Sequence, residues 1–254
     1  MILQYSSAAD ADRNNLICLS ERHQVKSNTI ADLLGRKPTV PPSFSIEQNR
    51  LQRKGFMSSF VHKRAFDIIF SALVVVLLLS WFVPLIALLI KLESRGPAFF
   101  KQLRTGKNGK SFYCLKFRSM TVNTEADVEQ AIKNDSRVTR LGAFLRKTSI
   151  DEFPQFINVL KGEMSIVGPR PHMILHTEKY SRVIHNFMDR HLIMPGITGL
   201  AQVSGHRGET KEVETMAKRV NADIHYMHNW SIWLDVRIVL ITVKQLFKSD
   251  QNAF

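Results

Sequence analysis

The sequence predicts an α+β protein, mostly α, with a re-entrant membrane helix-hairpin followed by a small cytoplasmic domain that carries a short β-hairpin. Three observations predict it. The chain from Ile68 to Ile90 reads IIFSALVVVLLLSWFVPLIALLI with no charge, and about 20 apolar residues suffice to cross a bilayer. Both flanks of that run are basic, with Lys54, His62, Lys63 and Arg64 before it and Lys91, Arg95, Lys101, Arg104, Lys107 and Lys110 after it. The rest of the chain mixes helical apolar patterns with one strand-and-turn signal around Asn108-Gly109.

The membrane segment comes first in the argument. Lys and Arg mark the cytoplasmic side of a membrane helix, and here both ends carry the mark. A helix that enters, bends and returns satisfies both ends, whereas a straight span satisfies one. Ser80 and Pro84 sit mid-segment and supply the expected bend. Proline removes a backbone donor and crowds the carbonyl four residues back, and a nearby hydroxyl can serve the freed group. A single straight span with abundant lysine is the competing reading. The run is not read as a signal peptide, because it begins far from Met1 and no small-residue cleavage site follows it.

Composition bounds the rest. The chain has 254 residues, 44% hydrophobic and 22% charged. That excludes a wholly disordered chain, a collagen and a polytopic membrane protein. The formal net charge of +13 implies acidic partners: nucleic acid, anionic lipid or phosphorylated substrates. No zinc-finger or RRM-like signature supports nucleic acid, so none is expected as a partner. Cys18 and Cys114 are too few and too far apart for a disulfide framework or a metal motif, which points to a reducing compartment.

Residues 1–60 read as a loosely ordered polar extension, with short helical patterns at Ala9 to Leu19 and Ser27 to Leu34. Residues 61–95 are the membrane segment and 96–254 the cytoplasmic domain. Gly96-Pro97 marks a turn. Asn108-Gly109 is a two-residue hairpin signal, with Phe112 to Phe117 as the returning strand. Helices are expected over Glu125 to Asn134, Leu141 to Arg146, Glu152 to Lys161, Tyr180 to Arg190, Val213 to Asn229 and Trp230 to Phe247. Met194 to Ser204 reads as a loop or short strand.

Five stretches could carry chemistry, and each has a plainer reading beside it. In Thr148-Ser149-Ile150-Asp151-Glu152-Phe153-Pro154-Gln155, two carboxylates open an apolar helix. They either complement the helix dipole with Ser149 as cap, or serve as nucleophile and magnesium ligand. Arg137, Arg140, Arg146 and Lys147 just upstream favour a phosphate site. In Ser165-Ile166-Val167-Gly168-Pro169-Arg170-Pro171, two prolines stiffen the backbone around an arginine whose planar fork suits phosphate. Lys116-Phe117-Arg118 offers a further phosphate contact or a basic edge facing anionic lipid. Pro195-Gly196-Ile197-Thr198-Gly199-Leu200 either places backbone amides near a ligand or is only a turn. Gly205-His206-Arg207-Gly208-Glu209-Thr210 is either a loop for hydroxyl-rich ligands or plain surface. The histidines make no metal motif.

Taken in order, these stretches resemble the bacterial sugar transferases, the monotopic polyprenyl-phosphate phosphoglycosyl transferases. The resemblance is carried by Lys63-Arg64-Ala65-Phe66-Asp67, Gly96-Pro97-Ala98-Phe99-Phe100-Lys101-Gln102, Lys116-Phe117-Arg118-Ser119-Met120, Leu145 to Gln155, Gly162 to Pro171, Pro195 to Gly199 and Asn229-Trp230-Ser231. It covers Lys63 to the C terminus. It implies transfer of a sugar-1-phosphate from a UDP-sugar to undecaprenyl phosphate with release of UMP, at the bacterial inner membrane. By resemblance, residues 96–254 are the catalytic domain and Asp151 is the nucleophile that forms a phosphosugar-enzyme intermediate. Glu152 stands beside it, the pair holding Mg²⁺, and Arg146 and Arg170 hold phosphate. The membrane helix is implied to be re-entrant. His206 to Thr210 with Lys218-Arg219-Val220 and Asp223 looks like the subgroup that transfers glucose-1-phosphate and initiates exopolysaccharide repeat units. This adds Arg207, Glu209 and Asp223 to Lys116, Arg118 and Arg137 as candidate substrate contacts. Galactose or an N-acetylated sugar is the alternative within the same chemistry, and a basic membrane-anchored scaffold the alternative outside it. A homo-oligomer and contacts with other polysaccharide-synthesis proteins belong to the same expectation. One departure stands out: Trp81 follows Ser80 where the family commonly has proline, and the proline comes at Pro84.

Overall fold

The apolar run folds as helix throughout, because its backbone donors and acceptors are paired within one segment. The computed structural model describes residues 56–122, 132, 135–206, 208 and 212–247, with 56–60 as backbone only. Helix α1 (Phe56–Val74) leads into a π-helical turn (Val75–Leu79), and α2 (Ser80–Glu93) follows directly. The Ser80 hydroxyl donates to the Val76 carbonyl at 2.7 Å, and the Trp81 ring nitrogen donates to the Leu77 carbonyl at 3.0 Å. Pro84 lies inside α2 and offers no donor one turn back. The irregularity therefore begins at Val75, before the Ser80 to Pro84 stretch in which the sequence places it. Ile69, Leu73, Val76, Leu77, Trp81 and Leu88 are exposed along this helix, which is unlike a core helix.

Both ends of the helix are tied to the same globular unit. In α1, Lys63 donates to the Val167 carbonyl at 3.0 Å, the Tyr226 hydroxyl at 3.1 Å and Asp235 at 2.7 Å. Arg64 caps the Leu160 carbonyl at 3.2 Å. Asp67 accepts from the Ser165 hydroxyl and the Ile166 amide, both at 3.0 Å. At the far end, Glu93 accepts from the Leu141 amide at 2.9 Å, and Arg118 donates to the Ser94 carbonyl at 2.6 Å and the Arg95 carbonyl at 2.9 Å.

Strands β1 (Phe99–Thr105) and β2 (Ser111–Phe117) form the antiparallel hairpin, pairing Phe99 with Phe117 and Thr105 with Ser111. The loop is longer than a two-residue turn. It runs from Gly106 to Lys110 and is closed by the Gly106 amide on the Lys110 carbonyl at 2.8 Å. Asn108 and Gly109 both take positive φ, 54° and 74°, which Asn and Gly tolerate best.

After the hairpin come α3 (Arg140–Lys147), a 3₁₀ turn (Ile150–Glu152) and α4 (Gln155–Lys161). Thr139 caps α3 through the Gly142 amide at 2.9 Å. Asp151 and Glu152 thus precede the helix instead of opening it. Ser149 is not a cap: it adopts left-handed backbone, φ 55°, and makes no capping bond. Strand β3 (Ser165–Val167) pairs in parallel with β4 (Gly196–Thr198). That pairing is not foreseen, because three-residue strands carry no periodicity. Helix α5 (Ile174–Ser181) starts earlier than the expected Tyr180 to Arg190 helix, whose second half is a turn and a 3₁₀ segment (Phe187–Leu192). Val183, Ile184 and Asn186 are poor helix formers there. Helices α6 (Leu200–Val203), α7 (Val213–His228) and α8 (Ile232–Phe247) complete the chain. The helices expected at Ala9 to Leu19, Ser27 to Leu34 and Glu125 to Asn134 lie outside the described residues, apart from Ile132, which is in no element.

The larger core joins β2, α4, β3, α7 and α8 around Val159, Met164, Val167, Phe187, Met216 and Ile238. A smaller one joins Ile86 and Ile90 of α2 to Phe117 and Leu145, with Phe82, Ile150 and Phe153 against it. This second core sets the 3₁₀ turn beside the apolar helix.

Candidate active site

The Asp151-Glu152 turn is built by its neighbours. Ser149 turns the chain in a left-handed conformation that costs a non-glycine residue about 1–2 kcal/mol, and the Ile150 and Phe153 side chains anchor both sides of the turn in the smaller core. The two carboxylates are left facing the end of β2 and the loop after β3. Asn158 fixes β2 against α4 by accepting from the Leu115 amide at 3.0 Å and donating to the Tyr113 carbonyl at 2.8 Å. That brings Lys116 onto the site. Its ammonium donates to Glu152 at 2.6 Å and lies 3.9 Å from Asp151.

Arg170 closes the site from the other side. Its guanidinium grips Glu152 in a fork, at 2.5 Å and 3.2 Å, the geometry that makes Arg–carboxylate pairs strong. The loop holding it is fixed by backbone bonds: Gly168 donates to the Thr198 carbonyl and Gly196 to the Pro169 carbonyl, both at 2.9 Å. A Cβ on Gly196 would come within 2.1 Å of the Gly168 nitrogen. The Pro195 to Leu200 stretch thus clasps the arginine loop. Beneath it, Arg190 donates to the Arg170 carbonyl at 2.7 Å, contacts His172 Nδ1 at 2.6 Å and pairs with Asp223 at 2.7 Å.

The two adjacent carboxylates are tuned in opposite directions. Burial pushes Asp151 up to about 6; Lys116 opposes the shift, Glu152 reinforces it, and Arg146 and Arg170 oppose it. Burial also disfavours the Glu152 charge, yet Arg170 and Lys116 outweigh it and hold Glu152 well below the usual carboxylate range. Among the described residues Glu152 is fully paired, while Asp151 accepts no hydrogen bond. A buried carboxylate with free lone pairs, ringed by cations, can attack phosphorus or ligate a hard cation.

The structure therefore brings together Asp151, Glu152, Lys116 and Arg170, with Arg146 close enough to act on Asp151. It places others elsewhere. Arg118 spends its donors on Ser94, Arg95 and Ile90 at the end of α2. Arg137 forks onto Asp135 at 2.9 and 2.7 Å. Asp223 is buried behind Arg170, and burial pushes it up to about 6. Arg207 and Glu209 lie outside the described residues. No local pattern marks Arg190, because its partner Asp223 is distant in the chain. For magnesium, no group of three or more His, Cys, Asp or Glu side chains occurs among the described residues. The Asp151-Glu152 pair still suits an ion that takes one or two carboxylates and completes its shell with phosphate oxygens and water.

The sequence profile of the bacterial sugar transferase family matches residues 58–249. The UDP-glucose:undecaprenyl-phosphate glucose-1-phosphate transferase of Escherichia coli K12 is 53% identical over 71% of this chain and 39% of its own length. An exopolysaccharide production protein of Rhizobium leguminosarum bv. phaseoli is 47% identical over 72% of this chain and 94% of its own. A UDP-N-acetylgalactosamine-undecaprenyl-phosphate N-acetylgalactosaminephosphotransferase of Aeromonas hydrophila is 43% identical over 72% of this chain and 43% of its own. The chain spans about 40% of the length of the first glucose-1-phosphate transferases it matches. The matched stretch runs from the first turn of α1 past the end of α8 and holds both carboxylates of the site, so the chain belongs to the bacterial sugar transferase family.

Proposed function

We propose that this protein transfers glucose-1-phosphate from UDP-glucose to undecaprenyl phosphate, releasing UMP, as the first step of an exopolysaccharide repeat unit. The observation that carries the reading is the Asp151 turn: a buried carboxylate that accepts no hydrogen bond among the described residues, set among Lys116, Arg146 and Arg170, on residues that pack against the apolar helix. A soluble nucleotide-sugar and a lipid phosphate could both reach such a position. Asp151 attacks the phosphorus next to the sugar and forms a P–O bond; the bond to the bridging oxygen breaks, and UMP leaves with the electron pair. An oxygen of undecaprenyl phosphate then attacks the same phosphorus and restores the Asp151 carboxylate. Lys116, Arg146 and Arg170 hold the phosphoryl oxygens and offset the charge that develops on them. Glu152 keeps Lys116 and Arg170 in place. Mg²⁺, held by Asp151 and Glu152 together with substrate oxygens, would supply further charge neutralisation.

The same reading makes the segment 61–95 re-entrant and puts 96–254 on the cytoplasmic face of the inner membrane. Its support is that Lys63 and Asp67 at one end, and Ser94 at the other, bond to the same globular unit. That unit cannot lie on both sides of a bilayer. A second reading, transfer of an N-acetylated hexosamine phosphate, is favoured by the Aeromonas relative.

The test is UMP release by detergent-purified protein with magnesium and undecaprenyl phosphate. Release with UDP-glucose, lost in Asp151→Asn, supports the reading. Release only with UDP-N-acetylgalactosamine or UDP-galactose overturns the sugar and keeps the mechanism. Undiminished release by Asp151→Asn overturns the nucleophile, and no release with any donor favours the scaffold.

A further inference from the structure

Arg219 is a buried charge that the reaction above does not use. It lies on the inner side of α7, four residues before Asp223, and is 7% exposed. Its Nη2 donates to the Gly208 carbonyl at 2.8 Å, and its Nε is buried without a partner. Among the described residues it makes no salt bridge. The carboxylate that acts on it, Asp223, already pairs with Arg190 at 2.7 Å. A buried guanidinium with one carbonyl for company is costly unless something anionic completes it.

Its position relative to the attacking carboxylate says which anion. The charges that act most on Asp151 are Lys116, Glu152, Arg146 and Arg170. Those that act most on Arg219 are Arg170, Arg190 and Asp223. Arg170 is common to both sets, and Arg190 ties the Arg170 carbonyl to Asp223, one turn after Arg219 on α7, so Arg219 lies beside the loop that carries Arg170. Together, Lys116, Arg146, Arg170, Arg190 and Arg219 outnumber Asp151, Glu152 and Asp223. A diphosphate whose attacked phosphorus meets Arg170 would turn its other phosphate toward this second, incompletely partnered guanidinium.

We propose that Arg219 is a phosphate subsite for the leaving nucleotide, one phosphorus away from the atom that Asp151 attacks. The inference rests on the reading of the protein as a UDP-sugar phosphoglycosyl transferase. When Asp151 forms its bond and the bridging bond breaks, the electron pair stays on the UMP phosphate, and Arg219 receives that charge.

The test compares UMP with uridine, which lacks the phosphate, as ligands of the full chain in detergent, by equilibrium binding. In the wild type UMP binds far more tightly than uridine. In Arg219→Gln the ratio of the two dissociation constants is expected to fall about tenfold or more, the size of one charged hydrogen bond, with uridine binding unchanged. Arg219→Lys, which keeps the charge and loses the fork, is expected to fall in between. An unchanged ratio in either folded variant overturns the proposal. A raised KM for undecaprenyl phosphate with an unchanged UMP-to-uridine ratio also overturns it, in favour of the acceptor phosphate. If Arg219→Gln does not fold, Arg219→Lys decides alone. Because binding is read without turnover, failure of this inference stays separate from failure to release UMP from any donor.

Discussion

Asp151 holds a charge where the protein makes charge costly. Its carboxyl is pushed up to about 6, first by burial, so the folded protein binds that proton more tightly than the unfolded chain does. Asp223 is pushed up to about 6 by burial as well. For such groups stability falls as pH rises from about 4 through about 6. In magnesium-free buffer, calorimetry should therefore show Asp151→Asn gaining more Tm over the wild type at pH 7 than at pH 5; the buried His172 and His191, whose protonation burial disfavours, slope the other way and cancel in that difference. At pH 7 the same substitution should raise Tm while abolishing UMP release, a trade expected where a site is strained for function. A lower Tm in Asp151→Asn would mean that the charge is stabilising and the electrostatic account is wrong. Glu152 has the opposite sign. With its carboxylate held low by Arg170 and Lys116 against burial, its contribution is present at neutral pH and lost on strong acidification.

Two elements owe their place to buried polar contacts that composition does not reveal. Helix α1 is docked by Lys63, whose partner Asp235 is fully buried and also accepts from the Tyr226 hydroxyl at 2.6 Å and the Trp230 ring at 3.1 Å. Removing one partner of such a pair leaves the other uncompensated. Lys63→Met should cost about 3–5 kcal/mol in denaturant titrations, and Lys63→Met with Asp235→Leu should recover much of it. Equal loss in both variants would show that the pair is not what docks the helix. The arginine loop depends on glycine in a different way. Gly196→Ala places a methyl group against the Gly168 nitrogen, backbone that cannot step aside. An overpacking cost of about 1–3 kcal/mol is expected, with UMP release falling further than stability because Arg170 shifts from Glu152. Normal turnover in a folded Gly196→Ala protein would dismiss the clasp.

At the scale of the molecule the apolar helix and the turn that carries Asp151 and Glu152 share one core, and this predicts a topology. With Cys18 and Cys114 replaced, cysteines introduced at His62 and Lys91 should both react with an impermeant maleimide in inside-out vesicles, and neither should in spheroplasts. Labelling of the two sites from opposite faces would establish a straight span. Much of this was legible in the chain. The uncharged run announces a helix long and apolar enough to cross a membrane, because length and hydropathy can be read from the chain alone. The hairpin and helices α3, α7 and α8 follow from local periodicity and turn residues. The Asp151-Glu152 pair and Arg170 stand out by residue type beside prolines and basic neighbours. What local pattern could not decide was which charges meet. Lys116 and Arg118 are two positions apart on or just after β2, yet one reaches Glu152 and the other caps the end of α2. The pleat sends Lys116 and Arg118 to the same side, so backbone alternation does not separate them, and only the packing of α2 and the 3₁₀ turn assigns each a partner. Arg190, Asp223 and Arg219 likewise acquire meaning only when α7 is laid behind the Arg170 loop. The sequence by itself determined the long apolar helix, the type of most longer elements and the adjacent carboxylate pair, since these depend on neighbours in the chain. Tertiary structure alone decided the partners of each charge, since a buried ion's environment is set by residues that chain distance does not relate.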